Sequence, residues 1–174
     1  MIRTLHKGEF LELKRDRHWE YVSRVNARGA VVIIAVTPAR ELVLVEQTRI
    51  PQQCKTIELP AGIVGDADSP EGESFEDAAL REMLEETGFR GSEAFLLTQG
   101  PTAAGLTSEQ LTLVGIRGLV REHAGGGVGD EDISVHLVPL DGAHDWLERK
   151  RAEGLRVEPR VYAGLYFANG AQFA

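Results

Sequence analysis

The chain has 174 residues, enough for one globular domain with a substantial core. Its hydrophobic share of 43% and its charged share of 26% are ordinary for a folded protein and exclude a disordered chain. The formal net charge of −8 at pH 7 argues against a general nucleic-acid binder, because no basic stripe is available to neutralise many phosphates. A small phosphorylated ligand stays compatible with this charge if divalent cations offset the surrounding carboxylates.

Neither the amino terminus nor any apolar segment indicates export or a membrane partner. No apolar run approaches the roughly 20 residues that span a bilayer, and residues 30–36 have the length of a strand. Residues 1–7 lack the apolar stretch of a signal peptide, and a single cysteine, Cys54, cannot form an internal disulfide. We therefore expect a cytoplasmic protein.

Apolar patterning predicts strands through the first third of the chain. Alternation over residues 9–24 predicts two strands with a turn at residues 15–17. The continuous β-branched run at residues 30–36 predicts a strand buried on both faces. The turn that follows predicts that this strand forms a hairpin with a strand at residues 41–47. A short strand is expected at residues 56–59.

A helix is predicted over residues 75–87, after a loop at residues 66–72. Ser74 is the expected N-cap, with Asp77 three residues later, and Gly88 is the expected stop. Further elements follow in chain order: strands at residues 94–98, 110–119 and 133–139, and a helix at residues 143–152. Strands on both sides of a central helix predict an α/β fold with a mixed sheet and helices on both faces.

Three carboxylates share one narrow arc of the predicted central helix. At about 100° per residue, this arc contains Glu82, Glu85 and Glu86, and apolar residues occupy the opposite side. Like charges at this spacing repel one another and weaken a helix that has no compensating cation. Taken alone, the pattern is compatible either with a solvated acidic face or with a metal site.

The sequence around this helix resembles the Nudix box. The usual box is Gly, five residues, Glu, seven residues, Arg-Glu, an apolar residue, any residue, Glu-Glu, any residue, Gly and an apolar residue. From Glu73 to Phe89 this chain matches every fixed position. The first glycine of the box is expected where the chain has Ala67, so we assign its counterpart to Gly62, with a five-residue insertion in the loop that follows.

The resemblance implies a fold, a reaction and a cofactor. The fold class is α/β, a Nudix-type α/β/α sandwich with a mixed β-sheet, made of residues 29–174 and preceded by an antiparallel strand region at residues 1–28. Residues 45–51, 100–109 and 125–133 are similar to the branch that hydrolyses ADP-ribose and other nucleoside diphosphate sugars. This branch implies Mg²⁺, with Mn²⁺ as a substitute, and a homodimer in which the amino-terminal strands contribute to dimerisation and base binding.

By the same resemblance, residues of the box divide into metal ligands and structural positions. The expected metal ligands are the Ala61 carbonyl, Glu82, Glu86 and Glu85, of which Glu85 alternatively acts outside the ligand shell in catalysis. Mg²⁺ prefers hard oxygen ligands and keeps several waters, which suits this set. The structural positions are Gly62, Glu73, Arg81 and Gly88, with Glu73 and Arg81 expected to pair.

Residues outside the box are expected to bind substrate and activate water. The glycine-rich segment before the strand at residues 133–139 suits a mobile loop that carries the general base, for which Glu131 is the first candidate and Asp130 the second. The expected substrate-binding residues are Arg49, Glu109, Gly105, Trp19 and Glu20. Plainer interpretations stay open: Arg49 as a surface arginine, Glu109 in an ordinary turn and Trp19 as a packing residue.

The sequence therefore predicts Mg²⁺-dependent cleavage of a nucleoside diphosphate sugar into a nucleoside monophosphate and a sugar phosphate. Alternative substrates with the same chemistry are GDP-mannose, UDP-glucose and dinucleoside polyphosphates. A nucleotide-sensing module without catalysis is a further alternative, although the intact carboxylates Glu82, Glu85 and Glu86 argue against it. A purely structural interaction domain would leave these carboxylates unexplained.

Overall fold

The computed structural model describes residues 1–65, 69–129 and 131–173. Residues 66–68, in the loop where the insertion is predicted, and the second candidate base, Asp130, lie outside this described part. The strands are β1 (Arg3–Lys7), β2 (Leu11–Asp16), β3 (Trp19–Arg24), β4 (Gly29–Ala35), β5 (Glu41–Arg49), β6 (Cys54–Glu58), β7 (Ala61–Val64), β8 (Phe89–Arg90), β9 (Glu93–Pro101), β10 (Gln110–Arg117), β11 (Val120–Arg121), β12 (Ser134–Pro139) and β13 (Arg156–Val157). The helices are α1 (Phe75–Thr87), α2 (Ala143–Ala152) and α3 (Arg160–Ala168).

The central strands form two separate sheets. One has the order β7-β4-β10-β9, in which β10 is parallel to β4 and the other pairs are antiparallel. The other has the order β12-β5-β6-β13, in which β13 is parallel to β6. Short strands β8 and β11 pair beside them. Both central sheets are therefore mixed.

Strand β4 is buried along its whole length, as its sequence predicts. Successive residues point to opposite faces of a strand. On one face, Val31 and Ile33 pack into a cluster with Met83 of α1. On the other, Val32 and Ile34 pack into a cluster that includes residues of α2 and α3. The predicted α/β fold with helices on both faces is confirmed.

Helix α1 begins and ends where its sequence predicts. The Ser74 hydroxyl accepts a hydrogen bond from the Asp77 backbone N–H at 3.0 Å, which caps the helix. Gly88 ends the helix with φ +72°, a left-handed conformation that glycine adopts without strain. Local signals are sufficient here because both ends depend on side chains within a few residues.

The predicted hairpin between the strands now labelled β4 and β5 is wrong. Strand β4 lies between β7 and β10, whereas β5 lies between β12 and β6. Within the described residues, the two are joined by an isolated bridge between Val36 and Leu42. Because distant strands occupy both edges of β4 and of β5, the turn at residues 37–40 carries the chain from one sheet to the other. The elements additional to the sequence prediction are strands β1, β7, β8, β11 and β13 and helix α3.

The amino-terminal strands β1, β2 and β3 form an antiparallel sheet of their own. This sheet is joined to the rest of the chain through the loop after β9. The Val22 backbone N–H donates to the Leu106 carbonyl at 2.9 Å, and Val22 forms a bridge with Thr107. In the part of the chain that is described, no helix is long and apolar enough to cross a membrane.

Candidate active site

The acidic face of α1 lies against β7. The Glu86 side chain is only 4% exposed, and its Oε2 accepts a hydrogen bond from the Ala61 backbone N–H at 3.1 Å. Glu82 lies directly over Gly62, where a Cβ atom would be 2.0 Å from the Glu82 Cδ. A residue larger than glycine at position 62 would therefore displace the Glu82 carboxylate, which gives a physical reason for the glycine.

Arg81 holds the carboxylates around it in place. Its Nε and Nη2 donate to the two carboxylate oxygens of Glu73 at 2.9 and 3.2 Å, so the expected pairing of these residues is present. Its Nη1 donates to Glu82 at 2.9 Å and to Glu85 at 3.1 Å. Arg81 thus connects the loop before α1 to two of the three clustered carboxylates.

The electrostatic environment disfavours ionisation of two of the three clustered carboxylates, Glu86 and Glu82. The pKa of Glu86 is raised to about 8, chiefly by burial; the hydrogen bond from Ala61 lowers it, and the nearby charges of Glu82 and Glu131 raise it. Burial also raises the pKa of Glu82 to about 7, against the opposing effect of Arg81. The cationic groups around these two carboxylates therefore do not fully stabilise their negative charge.

The residues fit a divalent cation in chemical kind and in charge. Among the described residues, no three His, Cys, Asp or Glu side chains already surround one point as a metal site would require. Mg²⁺ needs only one or two carboxylates when waters and substrate phosphates complete its octahedron. Partly buried Glu82 and buried Glu86 supply hard oxygen donors where a cation would relieve the repulsion between them.

A cavity of about 560 Å³ opens beside Ala61 and Gly62. Arg49, predicted to bind substrate, lines this cavity and donates from Nε and Nη2 to both oxygens of Glu58 at 2.9 and 2.7 Å. Glu58 is 4% exposed; burial by itself would raise its pKa, but the hydrogen bonds from Arg49 and Thr56 hold that pKa below its usual value. Arg49 is therefore held at the cavity wall by Glu58, with 43% of its side chain exposed.

Glu109 also lines the cavity, although its oxygens are already engaged. One oxygen accepts a hydrogen bond from Arg24, and the other accepts from the Thr102 hydroxyl at 3.1 Å. The structure thus brings Glu109 and Ala61 to the same cavity, and Arg24 is the cation that holds Glu109.

The glycine-rich segment packs against the carboxyl end of α1, where sequence reasoning favoured a mobile loop. The Gly126 and Gly127 backbone N–H groups donate to the carbonyls of Glu86 and Glu85 at 2.9 and 3.2 Å. The last carbonyls of a helix have no partner within it, so these bonds cap α1. A Cβ at Gly125 would be 2.5 Å from the Glu86 carbonyl oxygen. Close backbone approach therefore accounts for a glycine that the sequence suggested to be a source of mobility.

Glu131, the first candidate for the base, lies near the acidic face. Its Oε2 accepts a hydrogen bond from the Val128 backbone N–H at 2.9 Å. Its charge contributes to the raised pKa of both Glu82 and Glu86, which places it within electrostatic range of these side chains.

The amino-terminal candidates lie away from the cavity in the single chain. Trp19 is 54% exposed, and its indole N–H donates to the Gly105 carbonyl at 3.2 Å. Glu20 is 3.9 Å from Arg15. Within the described residues, Trp19, Glu20 and Gly105 are not among those that line the cavity.

Sequence reasoning missed several residues of the cavity wall. These include Gln52, Thr102, Arg156 and Glu158. Arg156 reaches the wall because β13 pairs with β6, and a two-residue strand gives no usable periodicity.

Comparison with known proteins agrees with this geometry. The family model of the NUDIX domain matches residues 26–156. The ADP-ribose pyrophosphatase of Escherichia coli K12 is 32% identical over 176 residues, covering 86% of this chain and 78% of that protein. The methanol dehydrogenase activator of Bacillus methanolicus is 35% identical over 125 residues, covering 71% of this chain, and the chain spans 64% of that relative's length.

The fold has a counterpart among solved structures. The crystal structure of an ADP compounds hydrolase matches with a TM-score of 0.71, covering 95% of this chain and 88% of the other, at 21% identity. At this identity the likeness shows a shared fold. Together with the domain match and the sequence relatives, it establishes that this chain belongs to the NUDIX family and is a hydrolase related over most of its length to ADP-ribose pyrophosphatases.

Proposed function

We propose that this protein hydrolyses the pyrophosphate bond of ADP-ribose or a related nucleoside diphosphate sugar with Mg²⁺, for which Mn²⁺ substitutes. The products are a nucleoside monophosphate and a sugar phosphate; with ADP-ribose they are AMP and ribose 5-phosphate. The observation that carries this proposal is the position of buried Glu86 and partly buried Glu82 on α1, against the Ala61–Gly62 segment at the edge of the cavity. The named pyrophosphatase relatives support the substrate class.

The carboxylates of α1 are the proposed cation ligands, with the Ala61 carbonyl. A bound divalent cation would neutralise the pyrophosphate and polarise a phosphorus atom toward water. Glu82 and Glu86 provide direct ligands, and Glu85, held by Arg81, is a ligand or orients one. Burial of these groups excludes water that would otherwise weaken their interaction with a cation.

Glu131 is the proposed general base, and Asp130 is the second candidate. A carboxylate close to a metal-binding face accepts a proton from the attacking water at the moment when the phosphorus–oxygen bond forms. Arg49 is the proposed phosphate ligand, because its planar guanidinium group matches phosphate oxygens and Glu58 orients it at the cavity wall. Glu109, which also lines the cavity, is the proposed substrate-side carboxylate.

The amino-terminal region, residues 1–28, is proposed to act with the hydrolase domain, residues 29–174. Trp19 and Glu20 would contact the base in a homodimer in which a second copy brings β3 to the cavity, and Gly105 would bind the substrate. The apolar side chains exposed on the amino-terminal sheet, Phe10 at 72% and Trp19 at 54%, are consistent with burial against a second copy. We further propose a cytoplasmic location and no nucleic-acid partner, in keeping with the net charge of −8.

The test is turnover of ADP-ribose by the wild type and by the E82Q and E86Q variants. Each variant should lose at least about 100-fold in kcat/KM while retaining the circular dichroism spectrum of the wild type. E76Q is the matched control, because Glu76 lies in the first turn of α1, before the acidic face, and should retain activity. Full activity of both E82Q and E86Q would refute the proposal.

A substrate panel with product identification decides among ADP-ribose, GDP-mannose, UDP-glucose and dinucleoside polyphosphates. The alternative of a nucleotide-sensing module makes a different prediction. Calorimetric binding of ADP-ribose with Mg²⁺, but no turnover of any member of the panel, would favour the module.

A further inference from the structure

The wall of the cavity carries an uneven balance of charge. Three arginine–glutamate pairs line it: Arg24 with Glu109, Arg49 with Glu58, and Arg160 with Glu158. In each pair the guanidinium group is matched by a carboxylate. Among the described lining residues, the remaining arginine is Arg156, whose Nη1 donates at 2.6 Å to the neutral Gln52 amide oxygen. A positive charge is therefore left over at this part of the wall.

Arg156 lies on a different part of the wall from the carboxylates of α1. It belongs to β13 and pairs across the sheet with Thr56 of β6. The carboxylates instead adjoin β7, which belongs to the other sheet. The same cavity includes both Arg156 and Ala61 in its lining. A ligand whose pyrophosphate lies at Ala61 could therefore extend along the cavity toward Arg156.

The chemistry of the Arg156–Gln52 pair suits an anionic group. A guanidinium group has five N–H donors in a fixed planar arrangement. In Arg156, one N–H of Nη1 donates to Gln52. The Gln52 carbonyl is engaged by this bond, which leaves its amide N–H₂ group as a further donor. Donors alone, without a carboxylate among them, match a phosphate or a carboxylate of the ligand.

We propose that Arg156 and Gln52 form a subsite for an anionic group at the end of the substrate away from the scissile pyrophosphate. The substrate class is then a nucleoside diphosphate derivative that carries an additional phosphate or a carboxylate. This inference rests on the proposed pyrophosphatase function. It further predicts that the enzyme prefers substrates that carry this additional phosphate or carboxylate over substrates that lack it.

The test compares pairs of substrates that differ in one anionic group. ADP-ribose is compared with its 2′-phosphate and with its 1″-phosphate, which place the phosphate at opposite ends, and UDP-glucose is compared with UDP-glucuronate. For the wild type we expect at least one anionic-ended member to exceed its neutral counterpart by about tenfold in kcat/KM, mainly through KM, as one charge-assisted contact would give. These comparisons show whether the enzyme recognises a phosphate or a carboxylate, and whether the group lies at the nucleoside end or at the sugar end of the substrate.

Variants locate the effect. R156A should abolish the tenfold preference, and R156K, which keeps the charge without the planar group, should retain part of it. R149A is the matched control, because Arg149 is exposed on α2 and does not line the cavity. It should keep the full preference. An unchanged preference in R156A, or no preference in the wild type, would overturn the inference.

The proposed function and this inference can fail separately. If the wild type hydrolyses no member of the panel, the proposed function fails. Calorimetric affinities of wild type and R156A for ADP-ribose and its two phosphates, without added divalent cation, then test the subsite without turnover. Tighter binding of a phosphorylated ligand that R156A loses supports the subsite, and equal affinities for the two proteins refute it.

Discussion

Gly88 ends α1 at a point where the following loop packs directly against the helix. Its φ is +72°, and an alanine held in this left-handed conformation would lower the free energy of unfolding by about 1 kcal/mol. A Cβ at this position would be 2.2 Å from the His123 carbonyl oxygen, so the loop would have to move away. Two hydrogen bonds would weaken, from the Glu122 N–H to the Gly88 carbonyl at 2.8 Å and from the Gly126 N–H to the Glu86 carbonyl at 2.9 Å. At about 1 kcal/mol each, they bring the expected loss in the free energy of unfolding for Gly88→Ala to about 3 kcal/mol.

Gly154 provides a matched control. It also follows a helix in a left-handed conformation, with φ +93°, and a Cβ there would meet no described heavy atom within 4 Å. Gly154→Ala should therefore lose only the conformational contribution of about 1 kcal/mol. The comparison between the two variants isolates the packing of the loop on the helix.

Urea unfolding measured by circular dichroism tests this prediction. With a urea m-value of about 2 kcal/mol/M, the difference of about 2 kcal/mol between the variants corresponds to about 1 M in the unfolding midpoint. Equal midpoints for Gly88→Ala and Gly154→Ala would refute the reasoning, because they would show that the loop does not pack against Gly88 in solution.

Three further predictions concern the site. Burial alone would raise the pKa of Glu58, but the hydrogen bonds from Arg49 and Thr56 hold that pKa below 4.5 in the folded protein. The ion pair therefore stabilises the fold above pH 4.5, and this stabilisation is lost as the pH falls through the pKa of Glu58 in the folded state. E58Q should therefore lower the urea midpoint at pH 7 by more than at pH 3, and an equal decrease at both would contradict the pairing. Mg²⁺ at about 100 times its dissociation constant should stabilise the wild type by about 2.7 kcal/mol in thermal unfolding but not E86Q, and an equal gain would exclude Glu86 as a ligand. Trp19→Ala should raise KM for ADP-ribose and weaken the dimer in analytical ultracentrifugation, whereas a monomeric wild type would refute the dimer proposal.

The carboxylate helix could be predicted almost completely from the sequence. Ser74 and Gly88 set the ends of α1 through hydrogen bonds and backbone conformations that depend only on nearby residues. The pairing of Arg81 with Glu73 follows from a motif with fixed spacing, and it is present in the structure. The burial of β4 on both faces follows from its unbroken run of β-branched residues.

Strand partners could not be predicted in the same way. The turn between β4 and β5 is a good local signal for a hairpin, yet each strand pairs with strands from distant parts of the chain. Strands β7 and β10 pair with the two edges of β4, while the apolar clusters on its two faces include residues of α1 on one side and of α2 and α3 on the other. Partner choice depends on how all strands share the core, which no local pattern contains.

The environment of the site was likewise decided by tertiary structure. Arg49 was expected at the substrate, but its ion pair with buried Glu58 depends on the pairing of β5 with β6. The glycines at positions 125–127 suggest mobility, whereas the amides of Gly126 and Gly127 cap the end of α1. Glycine permits both a mobile backbone and the close approach of two backbone segments, so a glycine in the sequence does not show which of the two applies.

By itself, the sequence determined the helix, its three clustered carboxylates and the family to which the chain belongs. These follow from contacts among residues close along the chain and from a motif whose spacing is fixed. Only the tertiary structure decided which arginines and carboxylates meet across the cavity, and that Arg156 lies on its wall opposite a neutral partner. The physical reason is that charges separated widely in sequence meet only after the two sheets have packed around a common core.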